Sequence, residues 1–319
     1  MVAGAMGMPM GTLRIRELSR RDGAQLIKLF RSSFPREMEL SGFDVRAVRK
    51  TLRLYGVLKV IQRLTRKPFV LFAVGEVEGE VVAAVSLNRE KDAWYIGTVM
   101  VAPEHRRKGY GRAILEHALE VARTFGGKRA ILHVLEDNLP ARGLYESAGF
   151  RTFERVVHFV REPPEGEEVL FPAGYTLSKI DLFDRQALRL VHAAREPESA
   201  EVYGEPEPTP WYIRPLARMQ PGIRERYAVV HSGRWVGIYT FAAPFREKGA
   251  ANASLAILPE HRGQGLEEAL LSRALRRARE IGCPRLLTRA DERNTALLSA
   301  CERLGFERLY VMEGMYRDL

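Results

Sequence analysis

A four-residue sequence, Pro-Glu-His-Arg, occurs twice in this chain of 319 residues, at positions 103–106 and again at 259–262. The same separation of 156 residues (259 minus 103) relates Gly109 to Gly265, Asn138 to Asn294 and Gly149-Phe150 to Gly305-Phe306. A separation that stays constant without insertion or deletion is hard to obtain by chance and indicates an internal duplication. The sequence therefore predicts two copies of one domain.

The chain length agrees with two domains, because single cores seldom grow beyond about 250–300 residues. Residues 161–173, REPPEGEEVLFPA, are rich in Pro, Glu and Gly, a composition typical of a connection between domains. We therefore predict a first domain at 1–160, a linker at 161–173 and a second domain at 174–319.

The first copy contains a strand, a basic glycine loop and a helix in succession. The apolar run 96–102 predicts a buried strand that ends at Pro103, and the loop 106–111, RRKGYG, leads into a helix with apolar residues on one face. Glycines let the backbone approach a ligand closely, and the free N–H groups of a helix's first turn favour an anion. These features predict a phosphate site at the loop.

Apolar periodicity predicts a similar order of elements in both copies. In the first copy it predicts a strand at 12–19, a helix at 22–34, a basic helix at 42–67, a hairpin at 69–88, the strand, loop and helix just described, a strand at 128–136, a helix at 140–148 and a strand at 150–160. In the second copy it predicts a strand at 174–180, a helix at 181–195, a hairpin at 226–242 and a strand at 250–258.

Two motifs carry a resemblance to a known family. Arg106-x-x-Gly109-x-Gly111 after a strand, followed by Asn138, Ala141, Leu144-Tyr145 and Ala148-Gly149-Phe150, resembles the signature of the GCN5-related N-acetyltransferase (GNAT) family. The resemblance implies an α/β (α+β) fold of two tandem domains, each a mixed, mostly antiparallel twisted sheet flanked by helices. The two-copy organisation is similar to that of mycothiol synthases, with which the chain shares no substrate motif.

The resemblance implies that the first copy binds acetyl-CoA. Backbone groups of Val99, Met100 and Val101 would pair with the pantetheine arm like an added strand, and the loop would hold the pyrophosphate. The remaining residues of the predicted cofactor site are Arg106, Arg107, Lys108, Gly109, Tyr110, Gly111, Arg112 and Asn138. The three consecutive cations at 106–108 also suit a phosphate on charge grounds.

The resemblance also implies the catalytic groups for transfer to an amine through a tetrahedral intermediate. Tyr145 matches the family's tyrosine, which donates a proton to the departing thiolate, and the N–H near Met100 would stabilise the oxyanion. His133 stands where some members carry a glutamate base, and an imidazole, with an ordinary pKa near 6.5, suits that role. Further candidates for the base are Glu136, Asp137 and His105, while a packed strand histidine is the structural alternative for His133.

The second copy departs from these motifs at the positions assigned to chemistry. Glu267 replaces Gly111, Cys301 replaces Tyr145, Arg289 replaces His133, and Gly263-Gln264 replace Arg107-Lys108. A carboxylate at a helix N-terminus would occupy the place of the anion and repel a pyrophosphate. The second copy is therefore predicted to bind CoA poorly, with Cys301 a buried thiol rather than a reactive one.

Charge is distributed unevenly along the chain. The formal net charge of +10 lies wholly in residues 1–160, where 27 Lys and Arg residues stand against 17 Asp and Glu. The basic helix at 42–67 would favour an acidic or phosphorylated acceptor, a nucleic acid or an anionic membrane surface, or it presents a solvated face. No interleaving of aromatic residues suited to base stacking accompanies its charges, so nucleic acid is not the expected partner.

The expected partner is a small-molecule or peptide amine, with no membrane span, because no run of about 18 apolar residues occurs. Two cysteines fit neither a disulfide framework nor a metal site, which makes a reducing cytoplasm the expected location. The resemblance thus implies an N-acetyltransferase acting in its first copy. The alternative function is a non-catalytic module that binds acyl-CoA as a sensor or scaffold.

Overall fold

The computed structural model describes residues 12–33, 55–56, 58–64, 68–210, 212, 214–219, 222–244 and 249–319. The contacts divide the chain into two compact units, one of residues 1–132 with 317–319 and the other of residues 133–316. Within the described ranges, no helix has the length and apolar character needed to cross a membrane.

The first unit is built on a sheet in the order β1-β2-β3-β4-β5. Neighbouring strands are antiparallel except β4 and β5, which are parallel. The strands are β1 (Arg14–Glu17), β2 (Val70–Val77), β3 (Glu80–Glu90), β4 (Ala93–Val101) and β5 (Arg129–Leu135), and the helices are α1 (Gly23–Ser33) and α2 (Tyr110–Thr124). β5 continues into the second unit.

The two helices of the first unit cover the sheet because each has an apolar stripe. α1 buries Leu26 and Leu29 in a cluster with Val74, Val81 and Ala84. Val82, the neighbour of Val81 in the chain, belongs instead to a cluster with Tyr110 of α2. Because successive strand residues point to opposite faces, the two helices pack on opposite sides of β3.

The second unit contains strands in the order β12-β6-β11-β10-β9-β8-β7. Its strands are β6 (Arg151–Arg161), β7 (Tyr175–Lys179), β8 (Ile223–His231), β9 (Arg234–Ala243), β10 (Ala251–Ile257), β11 (Leu286–Asp291) and β12 (Glu307–Asp318). Its helices are α3 (Leu139–Ser147), α4 (Arg185–Ala193), α5 (Pro197–Tyr203), α6 (Arg214–Arg218), α7 (Leu266–Glu280) and α8 (Thr295–Arg303). The parallel pair is β10 with β11, so the two sheets repeat one plan.

The last strand of the first copy pairs with strands of the second copy. β6 is antiparallel to β11, with Arg161 opposite Leu286, and also to β12, with His158 opposite Tyr310. The compact units therefore do not coincide with the sequence repeat. The boundaries 1–160, 161–173 and 174–319 stay a prediction.

The predicted fold class is confirmed, and the predicted elements that fall in the described ranges are present. The turn at Glu78 and Gly79 has the positive φ angles of 51° and 84° that suit a tight hairpin. Most of the predicted helix at 42–67 lies outside the described residues, apart from 55–56 and 58–64, which are helical. The short helices α5 and α6 were not expected from periodicity.

Residues of the predicted linker are fixed against helix α7. The N–H of Val169 donates to Ser272 Oγ at 2.9 Å, and that hydroxyl donates to the carbonyl of Glu167 at 2.9 Å. Glu168 forms an ion pair with Arg276. Because Ser272 and Arg276 are about one helical turn apart, residues 167–169 run alongside the helix.

Candidate functional site

The basic glycine loop connects β4 to α2 in the first unit. Pro103–His105 form one turn of 3-10 helix, and α2 begins at Tyr110 with Gly109 as its N-cap, at φ +82°. A residue with a Cβ would be strained at that angle, which explains the glycine. The cations at 106–108 are exposed, so the loop presents positive charge beside the helix N-terminus.

Arg106 also has a structural role in this loop. Its Nε donates to the carbonyl of Val101 at 3.2 Å, closing the loop onto the end of β4. Arg262 in the second copy makes the same bond to Ile257 at 3.1 Å. The arginine shared by both copies is therefore explained by the fold alone, and its predicted contact with the cofactor would come from the other nitrogens of the guanidinium group.

The loop of the second copy has the same backbone. Pro259–His261 form the matching 3-10 turn, and Gly265 caps α7 at φ +84°. The difference lies in Glu267, whose side chain is 1% exposed. Both of its carboxylate oxygens lie 3.2 Å from the N–H of Gly263, which donates to them. In the second copy, the Glu267 carboxylate therefore accepts the hydrogen bond of a loop N–H that a ligand would accept in the predicted phosphate site of the first copy.

Other groups of the protein crowd the second loop as well. Pro172 of the predicted linker lies 3.6 Å from the Cβ position of Gly265. The hydroxyl of Tyr175 donates to Gln264 Oε1 at 2.6 Å. Burial raises the pKa of the Glu267 carboxyl, with Glu268 adding to the shift. The backbones of the two loops thus follow the same course, but side chains of the protein itself occupy the space beside the second loop.

The strand next to the first loop has an edge of the kind an extended ligand can use. β4 pairs with β5 only over Ala93–Tyr95, and no β5 register continues beyond Tyr95. On its other edge β4 stays paired with β3 through Val101. Residues 96–101 therefore have one edge paired with β3 and one edge without a β5 partner, which fits the predicted pairing of Val99, Met100 and Val101 with a pantetheine arm.

His133 lies at the centre of a polar cluster in the second unit. Its Nε2 is 2.9 Å from Glu154 Oε1 and 3.1 Å from the hydroxyl of Tyr203. That hydroxyl donates to the same Glu154 oxygen at 2.6 Å. His133 is on β5, Glu154 on β6 and Tyr203 at the end of α5, so the cluster joins the first copy to a helix of the second.

The Glu154 side chain occupies space that is open because the facing residue is a glycine. Gly314 on β12 stands opposite Glu154, and a Cβ there would meet Glu154 Cγ at 2.6 Å. Burial raises the pKa of the Glu154 carboxyl, but hydrogen bonds from His133, Tyr203 and Ser199 outweigh burial and leave that pKa below its ordinary value. Glu154 is therefore ionised at neutral pH.

An ionised carboxylate fixes the tautomer of its imidazole partner. Since Glu154 can only accept a hydrogen bond, Nε2 of His133 carries the proton in their contact. Such an arrangement orients a base and stabilises the imidazolium that forms when the base accepts a proton. The Glu154 carboxylate therefore holds the imidazole of His133 in a fixed orientation.

Tyr145 and Asn138 lie on and before helix α3. Tyr145 is 7% exposed, and its ring centroid lies 6.0 Å from that of Phe150. Asn138 Oδ1 accepts the N–H of Ala141 at 3.3 Å, as Asn294 accepts that of Leu297 at 3.1 Å. The repeated asparagine is thus a helix N-cap in both copies, and its binding to a cofactor stays a prediction.

The remaining candidates have partners of their own. Glu136 forms an ion pair with Arg155, and the ring of His105 stacks on Tyr110 at 6.1 Å. Tyr110 is 8% exposed and packs in the core, and Arg112 lies 3.7 Å from Glu116 one turn along α2. Cys301 is fully buried, and burial raises the pKa of its thiol to about 12, as a packed thiol requires.

The predicted residues fall into two groups. Residues 99–101 and 106–112 lie in the first unit, while His133, Asn138 and Tyr145 lie in the second. Sequence reasoning missed Glu154 and Tyr203. Glu154 could have been noticed as the one carboxylate in a strand, β6, whose other charged residues are basic, whereas Tyr203 lies in a segment where no motif was found.

A model of the acetyltransferase (GNAT) family matches residues 25–150 and 188–306. Mycothiol acetyltransferase of Cellulomonas flavigena is 29% identical over 231 residues, which cover 67% of this chain and 64% of that protein, slightly under two thirds of its length. Mycothiol acetyltransferase of Thermomonospora curvata is 28% identical over 233 residues, covering 70% of this chain and 73% of that protein.

Solved structures are similar over almost the whole chain. A tandem GNAT protein from the clavulanic acid biosynthesis pathway has a TM-score of 0.67 at 19% identity, covering 96% of this chain and 98% of its own. A GCN5-related N-acetyltransferase from Sphaerobacter thermophilus has a TM-score of 0.63 at 18% identity, covering 96% and 95%. At identities of 18–19% these similarities show a shared fold and nothing about the substrate.

Proposed function

The chain belongs to the acetyltransferase (GNAT) family, and from this premise we propose that it transfers an acetyl group from acetyl-CoA to a primary amine, with catalysis centred in its first copy. Members of this family use an acyl-CoA donor. Two relatives carry the name mycothiol acetyltransferase. Their acceptor does not carry over at 28–29% identity, and no substrate motif supports it.

The comparison between the two loops carries this proposal. Their backbones agree at the helix N-cap, with φ of +82° at Gly109 and +84° at Gly265. In the second loop Glu267 accepts a backbone N–H and Pro172 packs beside Gly265. In the first loop a glycine stands at the position of Glu267, and three exposed cations lie beside it. An anionic donor would therefore select the first loop.

The residues of the first copy would divide the proton transfers between them. His133, held by Glu154, would accept the proton of the amine, directly or through a water. Tyr145 would supply a proton to the leaving thiolate. The backbone of residues 99–101 would align the donor, and the loop at 106–112 would hold its pyrophosphate. Acetyl-CoA supplies the activated acetyl group.

Two measurements test the proposal. Calorimetric titration with CoA should give one site per chain, and a stoichiometry of two equal sites would contradict the assignment to the first loop. Incubation with acetyl-CoA and a panel of amino acids, polyamines, aminoglycosides and peptides should give an acetylated product. Binding of CoA with no acetylation of any amine would favour the non-catalytic, acyl-CoA-binding alternative.

A further inference from the structure

An arginine that pairs with no carboxylate of the described residues lies beside the His133 cluster. Arg195 follows helix α4, and its guanidinium carbon lies 3.8 Å from the centroid of the Tyr203 ring, a close cation–π contact. Its Nη1 atom is buried and has no hydrogen-bond partner within the described part of the chain. Buried donors in native proteins nearly always have a partner, so this one calls for an acceptor.

The carboxylates near Arg195 in the sequence and in the cluster are already engaged. Glu196 pairs with Arg262 at 2.6 Å, and Glu198 pairs with Arg293 at 3.2 Å. Glu154 accepts from His133 and Tyr203. Among the residues that the structure describes, Arg195 forms no ion pair. No carboxylate of the described residues thus neutralises Arg195, and since the residue as a whole is only partly buried, an anionic group from outside the chain can pair with its guanidinium.

Arg195 lies within the reach of a small molecule from the predicted base. The rings of Tyr203 and His133 are nearly parallel, with centroids 6.5 Å apart. Combined with the 3.8 Å from Arg195 to the Tyr203 centroid, this distance limits the guanidinium-to-imidazole separation to about 10 Å. One molecule that carries an amine and an anionic group a few bonds apart can meet both side chains.

We propose that Arg195 binds a carboxylate of the acceptor, so that the acceptor is a small aminocarboxylate whose amine faces His133. The planar guanidinium fork matches a carboxylate, and the charged hydrogen bonds are stronger than neutral ones. This inference rests on the proposed function, because it takes His133 as the base. It also gives the second copy, to which Arg195 and Tyr203 belong, a role in recognising the acceptor.

Matched substrates test the proposal with the full-length protein. β-Alanine carries a carboxylate where β-alaninamide carries an uncharged amide. Their amines also differ in basicity, but that difference is the same for every enzyme variant and cancels when variants are compared. Arg195→Gln should lower kcat/KM for the acid about 10- to 100-fold, the range for a lost charged hydrogen bond, and change kcat/KM for the amide much less. Arg189→Gln, which removes an exposed arginine of α4, is the matched control and should change neither.

An equal loss for acid and amide in Arg195→Gln, or the same selective loss in Arg189→Gln, would overturn the proposal. A second readout needs no turnover: N-acetyl-β-alanine should raise the Tm of the wild type more than its amide does, and Arg195→Gln should abolish that difference. Equal stabilisation by both compounds would also overturn it. Failure to acetylate any amine would refute the proposed reaction instead, and the Tm comparison would still decide whether Arg195 binds a carboxylate.

Discussion

Replacing Gly111 by glutamate would copy the second loop into the first. Gly111 has a helical backbone within α2 and is not among the glycines with positive φ, so a side chain can be placed there without backbone strain. In the second loop the equivalent Glu267 accepts the N–H of Gly263 at 3.2 Å. Gly111→Glu should therefore direct a carboxylate at the N–H of Arg107, the position that corresponds to Gly263.

The expected loss of CoA affinity follows from the charge. Two like charges about 4 Å apart repel by about 4 kcal/mol at an effective dielectric constant of about 20, and by about 1 kcal/mol in water. Residues 106–109 are exposed, so we expect an intermediate value of about 2 kcal/mol, or about a thirtyfold rise in Kd.

Calorimetric titration of CoA into wild type, Gly111→Glu and Gly111→Gln measures this effect. Glutamine has nearly the same size as glutamate and no charge, so it is the matched control and should lose much less affinity. The difference between the two variants should shrink at 0.5 M salt, because exposed charges are screened. Equal losses for Glu and Gln would refute the electrostatic reasoning, and unchanged affinity in both would refute the placement of the pyrophosphate at this loop.

Three further predictions concern the His133 cluster and its surroundings. Glu154→Gln removes the charge that orients His133, so kcat should fall at least about tenfold in steady-state assays. The Kd for CoA should stay the same. An unchanged kcat would contradict a role of the Glu154–His133 pair in catalysis. Tyr145→Phe should lower kcat about 100-fold or more without changing the CoA stoichiometry, as expected for a lost general acid, and an undiminished kcat would remove Tyr145 from the mechanism. Burial, reinforced by the positive charges of Arg289 and His133, lowers the pKa of His158 to about 4. Between about pH 6.5 and 4 the unfolded chain therefore binds a proton at His158 that the folded chain does not bind. As the pH falls through that window, the free energy of unfolding decreases by up to about 3 kcal/mol. In urea titrations, the free energy of unfolding should fall less between pH 7 and 4.5 for His158→Asn than for the wild type. An equal fall in both proteins would contradict the lowered pKa of His158.

Local chemistry explains why so much of the fold could be predicted. The hairpin at Glu78-Gly79, the loop glycine at 109 and the strand ending at Pro103 each depend on the φ angles that single residues permit. The alternation of apolar residues fixed the faces of the strands. The 156-residue repeat then transferred the strand end at Pro103 and the loop glycine at 109 to Pro259 and Gly265 of the second copy, and it identified Glu267 as the residue that changes the chemistry.

Contacts between distant residues could not be read from spacing. His133 meets Tyr203 across 70 residues, and Glu154 reaches it because β6 pairs with strands of the second copy and Gly314 leaves room. Pro172 and Tyr175 likewise reach the second loop only through the folded chain.

The sequence by itself determined the duplicated domain, the order of its elements and the course of both loops, because these depend on periodicity and on single-residue backbone preferences. Only the tertiary structure decided which groups surround His133 and which group fills the second loop. The physical reason is that a hydrogen bond or an ion pair depends on distance in space, and around His133 the pairing of β6 with strands of the second copy sets those distances.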